Sequence, residues 1–139
     1  MNNKKKPRVL KTSIADDEFG VTTVQGGNGA YRKKVCKTCP WRKSEIGQFP
    51  AEAFRLSAHT THDMSSHTFG CHEAGTKNPS TCAGFLLRGA DHNLSVRLGK
   101  MKGRFLDVKE PQAELFDCYA DMAKANGVDP EDPEILACR

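Results

Sequence analysis

Four of the six cysteines have the spacing of metal ligands. Cys36 and Cys39 form a Cys-x2-Cys pair, and Cys71 and Cys82 form a second, wider pair. Two residues between cysteines let a tight turn direct both sulfurs at one point, and two pairs can surround a metal ion with four thiolates. The sequence therefore predicts a metal site made of Cys36, Cys39, Cys71 and Cys82.

Four of the five histidines, His59, His62, His67 and His72, lie between Cys39 and Cys82, and one of them could replace a thiolate. His72 adjoins Cys71, so it is a possible substitute ligand if one cysteine is not used. His59 and His62 are three residues apart, close enough on a helix to share a metal. No glutamate accompanies them as in a hydrolytic metal motif, so a metal-dependent nuclease is the weakest interpretation. The sequence assigns no catalytic residue and favours a binding protein over an enzyme.

Two metal centres fit these ligands. Zinc is the usual partner of four thiolates in a reducing compartment. A proline directly after Cys39 and the wide ligand spacing also occur at iron–sulfur sites, so a [4Fe-4S] cluster with a redox or iron-sensing role is the alternative. The sequence favours Zn²⁺ of the two.

The composition indicates why the fold would need a metal. The chain of 139 residues has the length of one domain, but Leu, Ile, Val and Phe together number only 26. So few core-forming residues leave little burial to offset the conformational entropy of folding. A structural zinc ion can contribute on the order of 10–16 kcal/mol, enough to decide whether such a chain folds.

The net charge of +4 hides a strong asymmetry along the chain. Residues 1–46 carry eleven Lys or Arg against four acidic residues, whereas residues 105–139 carry three against nine. The cations nearest the first cysteine pair are the predicted binding residues: Arg32, Lys33, Lys34, Lys37, Arg42 and Lys43. This distribution predicts a surface for nucleic acid or an acidic host protein, or equally an attraction between the two ends of the molecule.

Local patterns predict an α+β domain of mostly short helices with a small N-terminal hairpin, compact, irregular and organised around the four-cysteine site. The strands of the hairpin are expected at Val21–Val24 and Tyr31–Val35, joined by a glycine-rich turn. Three organisational units follow: a flexible basic arm at 1–20, a globular domain at 21–127, and an acidic tail or short helix at 128–139.

Helices are expected from apolar spacing and capping residues. One begins at Pro50 and ends near Thr60, and a short apolar helix starts at Cys82, capped by Ser80 or Thr81. Another follows Asn93 or Asp91, which cap the stripe Leu94, Leu98 and Met101. The last runs from Pro111 to Gly127, with Cys118 inside it as a small buried side chain.

The first thirty residues contain no apolar run typical of a signal peptide, and no segment has membrane-spanning length. The sequence therefore predicts a cytoplasmic protein with no membrane partner. Its oligomeric state has no signature in the sequence.

Four motifs in order resemble a small cysteine-rich family of bacteria and their phages, known as a domain of unknown function. They are Cys-Lys-Thr-Cys-Pro-Trp-Arg at 36–42, Phe-Gly-Cys-His at 69–72, Thr-Cys-Ala-Gly-Phe-Leu at 81–86 and His-Asn-Leu-Ser-Val-Arg-Leu at 92–98. The resemblance covers roughly Val35 to Leu98. It implies that the four cysteines belong together and implies no activity. A phage origin would place the protein in the host cytoplasm as an accessory or host-directed factor.

Overall fold

A three-stranded antiparallel sheet lies at the N-terminal end of the fold. The computed structural model describes residues 8–14, 20–25, 30–71 and 80–139. The strands are β1 (Arg8–Ile14), β2 (Gly20–Gln25) and β3 (His67–Thr68), in the order β1-β2-β3. β2 pairs with β1 along its whole length, and its last residues reach β3 through Val24 opposite Thr68. The α+β class is thus confirmed, and the hairpin at the N-terminal end is formed by β1 and β2.

The expected second strand of this hairpin was wrong. Tyr31 does not return along β2 but forms a parallel bridge with Thr81. The Arg32 N–H donates to the Thr81 carbonyl at 2.9 Å, and the Thr81 N–H donates to the Ala30 carbonyl at 3.1 Å. Since these bonds occupy its backbone groups, residues 30–32 join the cysteine-bearing segment instead, and β1 takes the place beside β2. The predicted turn at 26–29 and residues 1–7 and 15–19 of the predicted arm lie outside the described residues.

Five short α-helices are found in the described residues. They are α1 (Ala51–Ser57), α2 (Ala83–Arg88), α3 (Leu94–Met101), α4 (Tyr119–Ala125) and α5 (Pro133–Leu136). Single 3₁₀ turns cover Lys43–Glu45 and Ala58–Thr61. The predicted cap of α3 is confirmed, because the Asn93 side chain accepts a hydrogen bond from the Val96 N–H.

The predicted helix from Pro111 to Gly127 exists only in its second half. α4 begins at Tyr119, and Cys118 is its N-cap residue rather than an interior residue. The preceding segment is extended because it pairs with the Trp41 region: the Phe116 N–H donates to the Trp41 carbonyl at 3.0 Å. An antiparallel bridge joins Leu115 to Arg42. The apolar side chains of the predicted helix are buried as expected: Leu115, Phe116, Tyr119, Met122 and Ala123. Pairing with the Trp41 region takes the place of its first helical turns.

The core is built around Trp41, whose side chain is completely buried. Its indole packs along α2 against two glycines. A Cβ at Gly84 would lie 2.7 Å from the Trp41 Cβ, and a Cβ at Gly89 would lie 2.6 Å from its Cη2. The Tyr119 ring meets the indole edge to face at 5.7 Å between centroids. The residue directly after Cys39-Pro40 is therefore the centre of the hydrophobic core.

None of the helices in the described part of the chain has both the length and the apolar character needed to cross a membrane.

Candidate functional site

The first cysteine pair lies on a tight turn that an arginine holds in place. The Cys39 N–H donates to the Cys36 carbonyl at 3.3 Å, closing the turn. The Arg42 Nε donates to the same carbonyl at 2.7 Å, and its Nη2 donates to the Val35 carbonyl at 3.4 Å. Because its guanidinium is occupied by these backbone oxygens, Arg42 acts as a brace of the cysteine turn. It is not a free cation of the kind that the sequence predicted.

The second pair is brought to the same region by a short antiparallel pairing. The Cys71 N–H donates to the Ser80 carbonyl at 2.6 Å, and the Cys82 N–H donates to the Phe69 carbonyl at 2.9 Å, around a bridge between Gly70 and Thr81. In this register residues 71 and 82 project from the same face of neighbouring extended segments. Both side chains are buried.

Cys82 was expected in the first turn of its helix but is the N-cap residue of α2. Its extended backbone continues the pairing with Phe69, so the helix begins one residue later. No side chain caps α2, including the predicted Ser80 or Thr81.

A contact between the two cysteine pairs joins Cys39 and Cys82. Their sulfurs lie 3.6 Å apart in the core, although 43 residues separate them in the chain. The Cys36 side chain lowers the pKa of the Cys39 thiol, but the contact with Cys82 and burial outweigh it and hold that pKa well above its ordinary value. Without a bound ion, Cys39 is thus a buried neutral thiol, and its sulfur lies within hydrogen-bonding distance of the Cys82 sulfur.

The structure does not by itself display a complete metal centre. Among the described residues, no three His, Cys, Asp or Glu side chains converge with the geometry of an ion site. His72, the possible substitute ligand, lies outside the described residues. The four-cysteine site and the choice between Zn²⁺ and a [4Fe-4S] cluster stay predictions.

The two remaining cysteines lie elsewhere. Cys118 caps α4, and the Cys138 sulfur contacts the Ala58 carbonyl at 3.7 Å. Burial raises the pKa of the Cys138 thiol. Because neither cysteine lies at the Cys39–Cys82 contact, substitutions at Cys118 or Cys138 can serve as controls.

The histidines are distributed over separate contacts and do not gather into one site within the described chain. His59 and His67 meet through their Nδ1 atoms at 3.0 Å. The His62 Nε2 contacts the Glu134 carbonyl at 2.8 Å, and His92 lies 3.5 Å from Asp63. His59 and His62, whose spacing would allow them to share a metal on a helix, contact different partners, because the 3₁₀ turn at Ala58–Thr61 directs His62 to the C-terminal segment and His59 to β3.

The predicted basic binding residues differ in what they contact. The Lys33 Nζ lies 3.0 Å from Asp107, and the Lys43 Nζ lies 3.7 Å from Glu114. These ion pairs join the basic front of the sequence (residues 1–46) to its acidic rear (residues 105–139). This attraction between the two ends is one of the two alternatives that the charge pattern left open. The Tyr31 hydroxyl and the Lys33 ammonium hold the pKa of Asp107 below its ordinary value.

The remaining predicted residues lie at the surface. Lys34 and Lys37 are exposed and make no ion pair within the described residues, and Arg32 is exposed with its backbone N–H bound to Thr81. The predicted set is therefore divided between a structural brace, two ion-paired lysines and three exposed cations.

Sequence reasoning missed the buried hub at Asn93. Its side chain is fully buried, accepts from the Val96 N–H, and donates to the Thr60 carbonyl at 3.0 Å and the His67 carbonyl at 2.6 Å. The cap was visible in the sequence, but the two donated bonds depend on segments about thirty residues away.

Comparisons with known proteins add a family and no activity. The model of a family of unknown function, DUF6283, matches residues 31–139. The match begins after β2, so the sheet's hairpin precedes it. No curated protein and no solved structure matches the chain.

Proposed function

The chain belongs to the DUF6283 family, and we propose that it is a small zinc-binding module whose fold is held by Cys36, Cys39, Cys71 and Cys82. The module acts by binding, as a regulatory or accessory protein directed at nucleic acid or at an acidic protein. It has no catalytic role in this proposal.

The observation that carries the zinc site is the separation of the Cys39 and Cys82 sulfurs. Two thiolates bound at about 2.3 Å to one tetrahedral zinc ion lie about 3.8 Å apart. The measured 3.6 Å is close to that value. Placing a tetrahedral ion between these two sulfurs, in place of the S–H···S contact, would require only a small shift of each.

The remaining ligands are supported by their placement. Cys36 lies on the same tight turn as Cys39 and acts electrostatically on its thiol. Cys71 projects from the same face as Cys82 on the neighbouring segment. A structural zinc site needs four such donors and no open position.

The same distance favours a single ion over an iron–sulfur cluster. In a [4Fe-4S] cluster each cysteine binds a different iron, so the thiolate sulfurs lie much farther apart than ligands of one ion. Cys39 and Cys82 are already at the shorter separation.

Metal analysis tests the proposal. Protein purified without oxygen should be colourless and contain one zinc ion per chain, and the variants Cys39→Ser and Cys82→Ser should lose the zinc. The matched control Cys118→Ser removes a cysteine from the N-cap of α4 and should keep it. Iron with brown colour would establish the cluster instead, and full-length protein that folds without any metal would overturn the proposal.

A further inference from the structure

One group of cations faces solvent without a carboxylate partner. Arg97, Lys100, Lys102 and Lys109 are exposed, as is Lys34, and none makes an ion pair within the described part of the chain. By contrast Lys33, Lys43, Arg55 and Arg88 each pair with an acidic residue. Unpaired cations kept at one surface are available to an anionic partner.

α3 directs its cations outward. Its inner face is buried through Val96 and Gly99, and Phe105 packs so closely on Gly99 that a Cβ there would lie 2.4 Å from the ring. Arg97 and Lys100 are three residues apart, so they lie side by side on the outer face. Leu98 and Met101 are exposed on the same outer half of the helix, Met101 by 83%.

A turn after α3 carries this surface to the segment that contains Lys34. Phe105 has a left-handed backbone with φ of 65°, a conformation that residues other than glycine seldom adopt. The turn places the Arg104 guanidinium over the Phe105 ring at 4.6 Å and over the Tyr31 ring at 5.7 Å. The α3 surface and residues 31–34 are therefore held together by a packed aromatic contact.

Lys34 and Lys109 line a shallow pocket at the far end of the same surface. The Lys109 N–H donates to the Lys33 carbonyl at 2.8 Å, which sets the two segments side by side. The pocket of about 220 Å³ is lined by Lys34, Val35, Lys109, Glu110 and Pro111. Glu110 is held by Arg88, with 2.9 Å between Oε2 and Nη2. Its negative charge is thus offset, and the two lysines are left to define the pocket.

We propose that Lys34, Lys109 and the outward cations of α3 (Arg97, Lys100 and Lys102) form one surface that binds the phosphate backbone of nucleic acid. The proposal rests on the binding role proposed above and names its partner. Cations spread over a helix, a turn and an adjoining segment can contact several phosphates of a nucleic acid, whose backbone carries one negative charge at each nucleotide. Leu98 and Met101 add apolar contact to sugars and bases between the phosphates.

Fluorescence anisotropy with labelled 20-nucleotide single-stranded DNA, single-stranded RNA and duplex DNA tests the surface. The intact chain should bind at least one probe at low salt, and affinity should fall steeply between about 50 and 200 mM salt. The probe bound most tightly identifies the kind of nucleic acid. The variants Lys100→Glu/Lys102→Glu and Lys34→Glu/Lys109→Glu should each bind at least tenfold more weakly, with the log–log salt slope smaller by about 1.5–2.

The control Lys124→Glu/Arg139→Glu makes the same change of charge at exposed positions outside the surface, and it should bind like the intact chain apart from a small long-range effect. An intact chain that binds none of the probes at low salt would overturn the inference, and an acidic protein partner would then remain for the module. Equal weakening by the control would overturn it as well. Zinc is measured in the same samples, so an intact chain that contains zinc but binds no probe refutes this surface and leaves the zinc module standing.

Discussion

Trp41 and Gly84 are in such close contact that the glycine cannot gain a side chain without moving the indole. A Cβ at Gly84 would lie 2.7 Å from the Trp41 Cβ, next to the backbone, where little adjustment is possible. The motif that carries Cys36 and Cys39 is thereby attached directly to the helix that begins after Cys82.

Gly84→Ala should therefore destabilise the protein by about 2 kcal/mol. Overpacking costs about 1–3 kcal/mol, and the better helix propensity of alanine recovers less than about 1 kcal/mol. Urea unfolding of both proteins measures the difference. Gly70→Ala is the control, because nothing lies within 4 Å of a Cβ at Gly70. Equal stability of both variants would show that the indole can move.

Treatment with a strong chelator should lower the stability by more than about 3 kcal/mol, because in the proposed zinc module the free energy of zinc binding contributes to folding. Thermal unfolding with and without a strong chelator measures the effect. Cys118→Ser should show the same sensitivity to the chelator as the intact chain, whereas Cys82→Ser should be unstable from the start and insensitive to it. A chelated sample that melts no earlier than the untreated one contradicts the structural role of the metal.

The buried hydroxyl of Tyr119 should make the folded protein less stable at alkaline pH. Burial raises the pKa of its hydroxyl far above the ordinary value, although the Ser57 hydroxyl contact lowers it, so the folded state keeps the proton that the unfolded state releases near pH 10. The unfolded state then binds fewer protons than the native state, and the free energy of unfolding falls as pH rises. The slope is up to about 1.4 kcal/mol per pH unit above pH 10.

Denaturant unfolding between pH 8 and 11.5 separates this contribution from others. Tyr119→Phe removes the titrating group and should show a flatter decline above pH 10. It should also be less stable at neutral pH by about 1–2 kcal/mol, because the Phe54 carbonyl loses a donor at 2.7 Å. Parallel declines in the two proteins would assign the alkaline loss to other groups.

Asn93→Ala should cost about 2–4 kcal/mol. The change removes the cap of α3 and leaves the buried carbonyls of Thr60 and His67 without a donor. Asn93→Asp keeps the cap but cannot donate, so it should recover only part of the loss. Asn126→Ala is the matched control at a more exposed position, expected to cost less than about 1 kcal/mol. Equilibrium unfolding of the intact chain and of the three variants measures these differences in stability.

Local signals predicted the parts of the fold that are decided within a few residues. α1 begins after Pro50, α3 is capped by Asn93, and Gly127 follows α4 with a φ of 98°. The failures come from distant pairing: Thr81 takes Tyr31 away from the hairpin, and Trp41 holds Phe116 out of a helix. Periodicity cannot reveal such partners, because a buried extended segment and a buried helix show similar apolar residues.

In the candidate site, too, features decided by neighbouring residues were predicted, whereas contacts between distant segments were not. The spacing of Cys36 and Cys39 predicts a turn from local geometry, and the turn is present. That Arg42 braces this turn and that Lys33 and Lys43 pair with the acidic rear depend on which surfaces meet in three dimensions. The cysteine spacing also leaves the choice between the two predicted metal centres open, because both use thiolate ligands.

The bridge between His62 and Cys138, together with the hydrogen bond from the Arg139 N–H to the Thr61 carbonyl, joins the end of the domain to its middle. During synthesis the middle of the domain leaves the ribosome well before these last residues do. The fold therefore cannot close stepwise as the chain emerges, and its final contacts must form after residue 139 has cleared the exit tunnel. Until then the nascent chain exposes the apolar surface that Ile135 covers in the folded domain, and this surface is open to chaperones or to aggregation.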